Sequence, residues 1–255
     1  MKYNEAFCRF FNEILTIDDV TLIYNTDKNQ FAKQLDGQMF CPCCKAVRFA
    51  YVTPSNIHPF FRGYPNEEHS AICEFHKEEM TPEEVSLLQR SGAGKDQILQ
   101  QMRRILIDHL KTCEQHEQRV DGNKGTKAMP SVVYSKSNRV SNKLVPRKLL
   151  TAPFTPDDYD MEKIFYGRVL LSYEENEASD KGKLLIYHPH LKRMICKIIL
   201  TANVKSHIPE PWRVLKKREI FIVFFSKLSV PNHQSGQKWS IGTLPSSKMI
   251  QVGFL

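Results

Sequence analysis

Four potential metal ligands, spaced as two close pairs, constrain this chain more than any other feature of its sequence. Cys41 and Cys44 form a Cys-x-x-Cys pair, and His69 and Cys73, with three residues between them, form a second. Zinc in structural sites is held by four thiolate or imidazole ligands in a tetrahedron, usually contributed as two such pairs. The 24 residues between the pairs leave room for a β-hairpin. The sequence therefore predicts one structural Zn²⁺ in a small N-terminal finger.

Neighbouring residues leave the ligand set partly open. Cys43 could replace a member of the first pair, although adjacent cysteines cannot easily turn both sulfurs toward one ion. His76 could take the place of His69 and is the stronger substitute. His58 precedes an aromatic segment that we expect to pack against the site. No acid of a His-x-Glu element lies beside the ligands, which disfavours a catalytic zinc.

The remaining cysteines fit the same interpretation. The chain has seven, and an odd number with three inside four positions makes a poor disulfide framework. Because the first residues lack the apolar run of a signal peptide, we expect a cytoplasmic protein, where clustered cysteines more often bind metal. Cys8, Cys113 and Cys196 lie among apolar neighbours and are predicted to be small core residues.

The finger also carries a family resemblance. The order MFCPCCKAV…IHPFFRGYPNEEHSAICEFH resembles the N-terminal zinc finger of competence CoiA-like proteins and related bacterial defence or mobile-element proteins, over residues 1–76. The resemblance implies a nucleic-acid context and a protein partner from a defence system. The chain departs from the pattern at Cys43, and no matching nuclease domain is recognisable behind the finger, so nuclease activity is not implied.

We expect four segments along the chain: a finger at 1–80, a helical segment at 81–118, a basic linker at 119–150 and a β-rich domain at 151–255. Residues 1–40 alternate in short apolar runs, which favours a β-hairpin. Thr81, Pro82 and Glu84 mark a helix start with a capping box. A Ser-Gly-Ala-Gly break at 91–94 is expected to interrupt it, and an amphipathic helix follows from Lys95.

Charge is unevenly distributed along these segments. The chain carries a formal net charge of +8. The segment 119–150 contributes about +7 and the segment 151–255 about +5, whereas residues 1–118 sum to about −4. A basic second half indicates that any polyanion would be met there.

The last hundred residues favour a small β-barrel. Candidate strands at 163–172, 183–188, 193–201, 218–226, 238–242 and 249–254 are separated by turn residues. The first has a glycine where the opening strand of an OB-type barrel bends. We therefore predict an α+β fold: a zinc finger with β-hairpins, an amphipathic helix, and a mostly-β, OB-like C-terminal domain.

Aromatic residues interleaved with cations in the second half favour binding of single-stranded DNA or RNA, through base stacking and phosphate neutralisation. The predicted nucleic-acid contacts are Arg147, Lys148, Tyr166, Arg168, Lys192, Arg193, Lys216 and Lys217.

The sequence thus favours a nucleic-acid-binding zinc-finger protein, in an antiphage or mobile-element system, over an enzyme. One alternative is a metal-dependent nuclease that uses the acids Glu174, Glu175, Glu177 and Asp180. Another is an adaptor that binds a protein through the 95–117 helix. The composition, with 41% apolar and 25% charged residues, is that of a globular protein, and no apolar run is long enough to suggest a membrane span.

Overall fold

The computed structural model describes residues 2–70, 73–120, 143–159, 161–175, 181–231 and 239–254. For residue 76 and for residues 111–120 the backbone alone is described. No helix within these ranges is long and apolar enough to cross a membrane. The predicted α+β fold is confirmed: small N-terminal sheets surround the cysteine–histidine group, helices follow, and a closed barrel completes the chain.

The N-terminal unit contains two small sheets and two helices. Its elements are β1 (Glu5–Cys8), β2 (Glu13–Thr16), α1 (Ile17–Thr26), α2 (Lys28–Gln34), β3 (Met39–Phe40), β4 (Phe49–Val52) and β5 (Phe60–Gly63). Strand β1 lies between β2 and β3, and β4 pairs with β5 in the hairpin predicted between the two ligand pairs.

The expectation of a β-hairpin throughout residues 1–40 is wrong for residues 17–34, which are helical. Thr16 begins α1 with a capping box: its hydroxyl accepts from the Asp19 N–H at 3.2 Å, and the Asp19 carboxylate accepts from the Thr16 N–H at 2.9 Å. Ile17 and Val20, one helical turn apart, are fully buried. Helical spacing and a capping box therefore outweigh the short alternating pattern here.

Helices α3 (Pro82–Arg90) and α4 (Gly92–Val120) follow the finger. The capping box at Thr81 is present as predicted, but the expected break at 91–94 is a single residue. The Ser91 hydroxyl accepts from the Gly94 N–H at 3.0 Å and so begins α4 at once. A Cβ at Gly94 would lie 1.9 Å from the Leu88 carbonyl oxygen, so only glycine allows the two helices to join this closely.

The C-terminal domain is the predicted OB-like barrel. Five strands close it in the order β7 (Glu162–Glu175), β8 (Gly182–Tyr187), β9 (Met194–Leu200), β11 (Ser240–Thr243) and β10 (Arg218–Leu228). Strand β10 returns to β7, β9 and β11 run parallel, and the other neighbours are antiparallel. Two short helices, α5 (Ala202–Ser206) and α6 (Glu210–Arg213), connect β9 to β10. Strands β6 (Arg147–Leu149) and β12 (Ile250–Phe254) extend the sheet at its two edges.

Strand β7 is long, and a bend at Gly167 allows it to belong to both ends of the barrel. This residue has a φ of 146°, a conformation that side chains rarely adopt, and a Cβ there would approach Leu149 to 3.2 Å. The backbone conformation therefore explains the glycine that the sequence analysis placed at the bend.

Apolar residues form three clusters, one in the finger, one inside the barrel and one between the barrel and the helices. In the third, α3 and α4 pack on the outward-facing residues of β7 and β10. Its members include Val85, Leu88, Ile98, Met102, Ile105, Ile164, Tyr166, Phe221, Val223 and Phe225. One side of the barrel is therefore covered by helices.

Buried ion pairs join the finger, α4 and the barrel. Arg147 in β6 lies 3.3 Å from the Glu5 carboxylate and 3.9 Å from that of Glu74. Glu5 also lies 3.4 Å from His109, and Glu74 lies 2.7 Å from Arg104. Burial raises the pKa of Glu5, but His109 and the Arg147 charge outweigh this and hold it below its ordinary value. Glu5 is therefore an ionised group inside the protein.

We expect Arg147→Met to lower the free energy of unfolding by about 3 kcal/mol, because it leaves the carboxylates of Glu5 and Glu74 buried without their cation. Adding Glu5→Gln should recover part of that loss, since it removes one uncompensated charge. Urea denaturation followed by circular dichroism measures both effects.

The matched control is Arg193→Met, which removes an exposed arginine from the same domain. It should change the free energy of unfolding by no more than about 0.5 kcal/mol. If Arg147→Met costs no more than this control, the ion pairs do not hold the two halves together.

Candidate functional site

The first ligand pair lies in a turn that follows β3. The Cys41 N–H donates to the Val47 carbonyl at 2.7 Å, and the Lys45 N–H donates to the Cys41 carbonyl at 3.0 Å. Lys45 has a φ of 54° and closes the turn. This conformation turns the thiols of Cys41 and Cys44 to the same side, as a Cys-x-x-Cys knuckle requires.

The second pair follows β5, and the structure brings it to the first. The sulfurs of Cys41 and Cys73 are 3.6 Å apart. The Nδ1 atom of His69 lies 3.5 Å from the Cys44 sulfur and 3.3 Å from the Cys73 sulfur. All four donor atoms lie within 4.8 Å of one another.

These separations fit a tetrahedral metal ion. Bonds of about 2.3 Å to sulfur and about 2.1 Å to nitrogen place two sulfurs about 3.8 Å apart, and sulfur and nitrogen about 3.6 Å apart. Cys41 and Cys73 are fully buried, and Cys44 and His69 are partly buried. The four residues form a group that can hold a metal ion, with no ligand position left over.

The three thiols have different electrostatic surroundings. Burial raises the pKa of Cys41 to about 11, and burial with the neighbouring thiols also raises that of Cys73. Burial acts in the same direction on Cys44, but the backbone groups of Ala46 and Ser70 and the His69 ring outweigh it and lower its pKa to about 6. Cys44 is therefore the thiol most readily deprotonated for binding a cation.

Tyr3 orients the histidine ligand and had no signal in the sequence. The hydroxyl of Tyr3 lies 3.3 Å from Nε2 of His69, so the ring presents Nδ1 to the thiols. Tyr3 is fixed by backbone hydrogen bonds to Phe61 and by stacking on Phe49 with ring centroids 4.6 Å apart. Such partners commonly set the orientation of a metal-binding histidine.

The alternative ligands occupy other positions. The Cys43 sulfur accepts from the Glu74 N–H at 3.3 Å and lies 3.8 Å from Arg104, outside the four-residue group. His58 lies 3.7 Å from the Asp18 carboxylate. The side chain of His76 lies outside the described residues.

The predicted nucleic-acid contacts separate into two sets. Three make contacts within the protein and have little exposed surface. Arg147 belongs to the ion pairs above, Lys148 lies 2.7 Å from the Asp158 carboxylate, and Tyr166 is 3% exposed in the cluster under α4. Lys148 and Tyr166 are thus buried, whereas the Arg147 side chain is 18% exposed and is engaged by the carboxylates of Glu5 and Glu74. The other five are exposed: Arg168, Lys192, Arg193, Lys216 and Lys217.

The side of the barrel away from the helices presents a second surface, which we call the open face. Cross-strand partners across β8, β9 and β11 share this face: Leu185 pairs with Lys197, which pairs with Ile241, and Lys183 pairs with Ile199. The open face consists of six partly exposed residues around the buried Leu185: Lys183, Tyr187, Lys197, Ile199, Trp239 and Ile241.

Two aromatic rings on the open face each make a cation–π contact with a lysine. The Lys197 ammonium lies 5.6 Å from the Trp239 ring centroid, and the Lys217 ammonium lies 4.9 Å from that of Tyr187. Both rings are partly exposed. Both belong to the aromatic residues interleaved with cations in the second half of the sequence, and the structure places them on one surface.

The described acids of the alternative nuclease site do not form a centre. Glu174 is exposed and faces Lys183 across the strands, whereas Glu175 lies 2.6 Å from Lys205. Glu177 and Asp180 lie outside the described residues.

A cavity of about 460 Å³ separates the finger from the barrel beside the ion pairs. Its wall includes Tyr3, Glu5, Phe75, Arg147 and Tyr166. The charged groups Glu5 and Arg147 pair with each other, and the Arg147 guanidinium stacks 4.3 Å from the Phe75 ring centroid. The wall is thus part of the junction that joins the two halves.

Comparison of the chain with protein-family models, with curated proteins and with solved structures gives no match.

We expect Cys73→Ser to abolish stoichiometric metal binding, because it removes one of four ligands from a closed site. Elemental analysis of purified protein should show about one divalent ion per chain before the change and almost none after it.

Cys43→Ser is the matched control, since Cys43 lies in the same segment but outside the ligand group. It should retain the full metal content. Loss of metal in Cys43→Ser together with retention in Cys73→Ser would contradict the assignment.

Proposed function

We propose that this chain binds single-stranded nucleic acid on the open face of its barrel, and that the Cys41, Cys44, His69 and Cys73 group holds a structural zinc ion. The observation that carries the proposal is the pair of partly exposed rings, Tyr187 and Trp239, each accompanied by a lysine.

The position of this face supports the proposal. OB-type barrels bind oligonucleotides on the surface of their second and third strands and the adjoining loops. In this barrel those strands are β8 and β9, which carry Lys183, Tyr187 and Lys197. Helices α3 and α4 occupy the opposite side, on β7 and β10, so the face that such barrels use is the face left open.

The chemistry of the face supports the same ligand. Bases stack on aromatic rings whatever their identity, and lysines neutralise phosphates without reading sequence. Exposed cations continue the surface beyond the sheet at Lys192, Arg193 and Lys216. The formal net charge of +8 favours association with a polyanion. Binding should therefore be steeply salt-dependent and show little sequence preference.

The zinc ion has a structural role in this proposal. Three thiolates and one imidazole are a typical donor set for structural zinc, and four protein ligands leave no position for substrate. The ion would join the knuckle after β3 to the segment after β5, in a unit with few strands. The resemblance to CoiA-like fingers adds an antiphage or mobile-element setting, with a defence-system protein as partner in a cytoplasmic location.

We expect Trp239→Ala and Tyr187→Ala each to weaken binding of a labelled ten-nucleotide oligothymidine by about tenfold, because each removes a stacking surface. Fluorescence anisotropy at low and moderate salt measures the dissociation constants.

Tyr64→Ala is the control, since Tyr64 is also an exposed tyrosine accompanied by a cation but lies on the finger, with Arg48 5.0 Å from its ring centroid. It should bind as the unaltered protein does. Absence of oligonucleotide binding at low salt, or equal affinities for all four proteins, would refute the proposed function.

A further inference from the structure

Within the described ranges, four residues other than glycine adopt the left-handed backbone conformation, and three of them are lysines. Their φ angles are 57° at Asn12, 54° at Lys45, 53° at Lys192 and 51° at Lys217. This conformation costs free energy in a residue with a Cβ, and glycine adopts it without that cost. A lysine in such a position calls for an explanation in terms of its side chain.

For two of the four residues, Asn12 and Lys45, the left-handed conformation has an explanation within the fold. Asparagine is among the residues that tolerate this conformation best. Lys45 places its ammonium 3.8 Å from the ring centroid of Phe7, which is 8% exposed. A cation that close to a buried ring gives the Lys45 side chain a structural contact.

Lys192 lies in the turn between β8 and β9, which the backbone and a buried histidine already fix. The Lys192 N–H donates to the His188 carbonyl at 2.9 Å, and the His188 N–H donates to the Arg193 carbonyl at 2.8 Å. The Nδ1 atom of His188 accepts from the N–H groups of His190 and Leu191, each at 3.2 Å. None of these bonds uses the Lys192 side chain, which is exposed and makes no ion pair within the described ranges.

Lys217 lies in the turn before β10, close to Tyr187. Its N–H donates to the Ser172 hydroxyl at 2.7 Å, which fixes the turn before β10 through the backbone. Its ammonium lies over the partly exposed Tyr187 ring. Since Tyr187 ends β8 and Lys192 is in the turn that follows, both strained lysines border the same end of the open face.

We propose that Lys192 and Lys217 are phosphate-binding residues near Tyr187, and that they keep their left-handed turns because the charge is needed there. The ligand class is a phosphodiester chain, which would cross the open face at this end with a base on Tyr187. This inference rests on the proposed function. It adds where on the open face the phosphodiester chain would lie. It also predicts an effect of glycine substitution that two lysines without a role in binding would not show.

The test is substitution by glycine, which fits the turn and removes the charge. Lys192→Gly and Lys217→Gly should each leave the urea midpoint of unfolding unchanged or higher. Each should weaken binding of the ten-nucleotide oligothymidine about threefold to tenfold at low salt. Each should also reduce the slope of log affinity against log salt by about 0.7, the value for one phosphate contact on a single strand.

Lys45→Gly is the matched control, with the same substitution at the same backbone angle but a structural contact to Phe7. It should bind oligothymidine normally, with a midpoint of unfolding that is lowered by loss of the ring contact.

The outcomes separate this inference from the proposed function. If both glycine variants bind as tightly as the unaltered protein while Trp239→Ala is weakened, the inference is wrong and the proposed function stands. If the unaltered protein binds no oligonucleotide, both are wrong. If Lys192→Gly and Lys217→Gly unfold at lower urea concentration, the lysines are structural and the inference fails.

Discussion

The arrangement of this molecule depends on Arg147, whose side chain is 18% exposed, and on the two buried carboxylates beside it. Arg147 begins β6 at the edge of the barrel, whereas its partners Glu5 and Glu74 belong to the finger, on either side of the metal-binding group. Removing these charges from water is costly unless each has its partner in place. The finger and the barrel are therefore constrained to one relative position, with α4 beside the same ion pairs through Arg104 and His109.

This constraint also determines which surface of the barrel remains accessible. Helix α4 packs on outward-facing residues of β7 and β10, whereas most of those on β8, β9 and β11 are partly exposed. The rings of Tyr187 and Trp239 lie on the exposed side with their lysines. The cysteine–histidine group is connected to these ion pairs, because its member Cys73 directly precedes Glu74. Under the proposed function, the structural and binding roles are divided between the two halves of the chain.

Local sequence signals predicted much of the fold and of the metal-ligand group. The features that they missed depend on contacts between residues that are distant in the chain. The two ligand pairs, the helix start at Thr81 and the barrel strands depend on neighbouring residues, and each was predictable from spacing and turn chemistry. Composition alone could not show that Arg147 and Lys148 form ion pairs within the protein. The partners of Arg147 are distant in the chain, and the partner of Lys148, Asp158, has the appearance of an ordinary surface acid in the sequence. Nor could composition place Tyr3 behind His69, where two sequence-distant segments meet.

An NMR titration of the full chain with ten-nucleotide oligothymidine tests the central claim most directly, because it locates the ligand without altering the protein. The account predicts amide shift changes in β8 and β9, together with a large change at the Trp239 indole. The indole of Trp212, which is 8% exposed inside the barrel, should move little. Shift changes confined to the finger or to α4, with β8 and β9 unaffected, would contradict it.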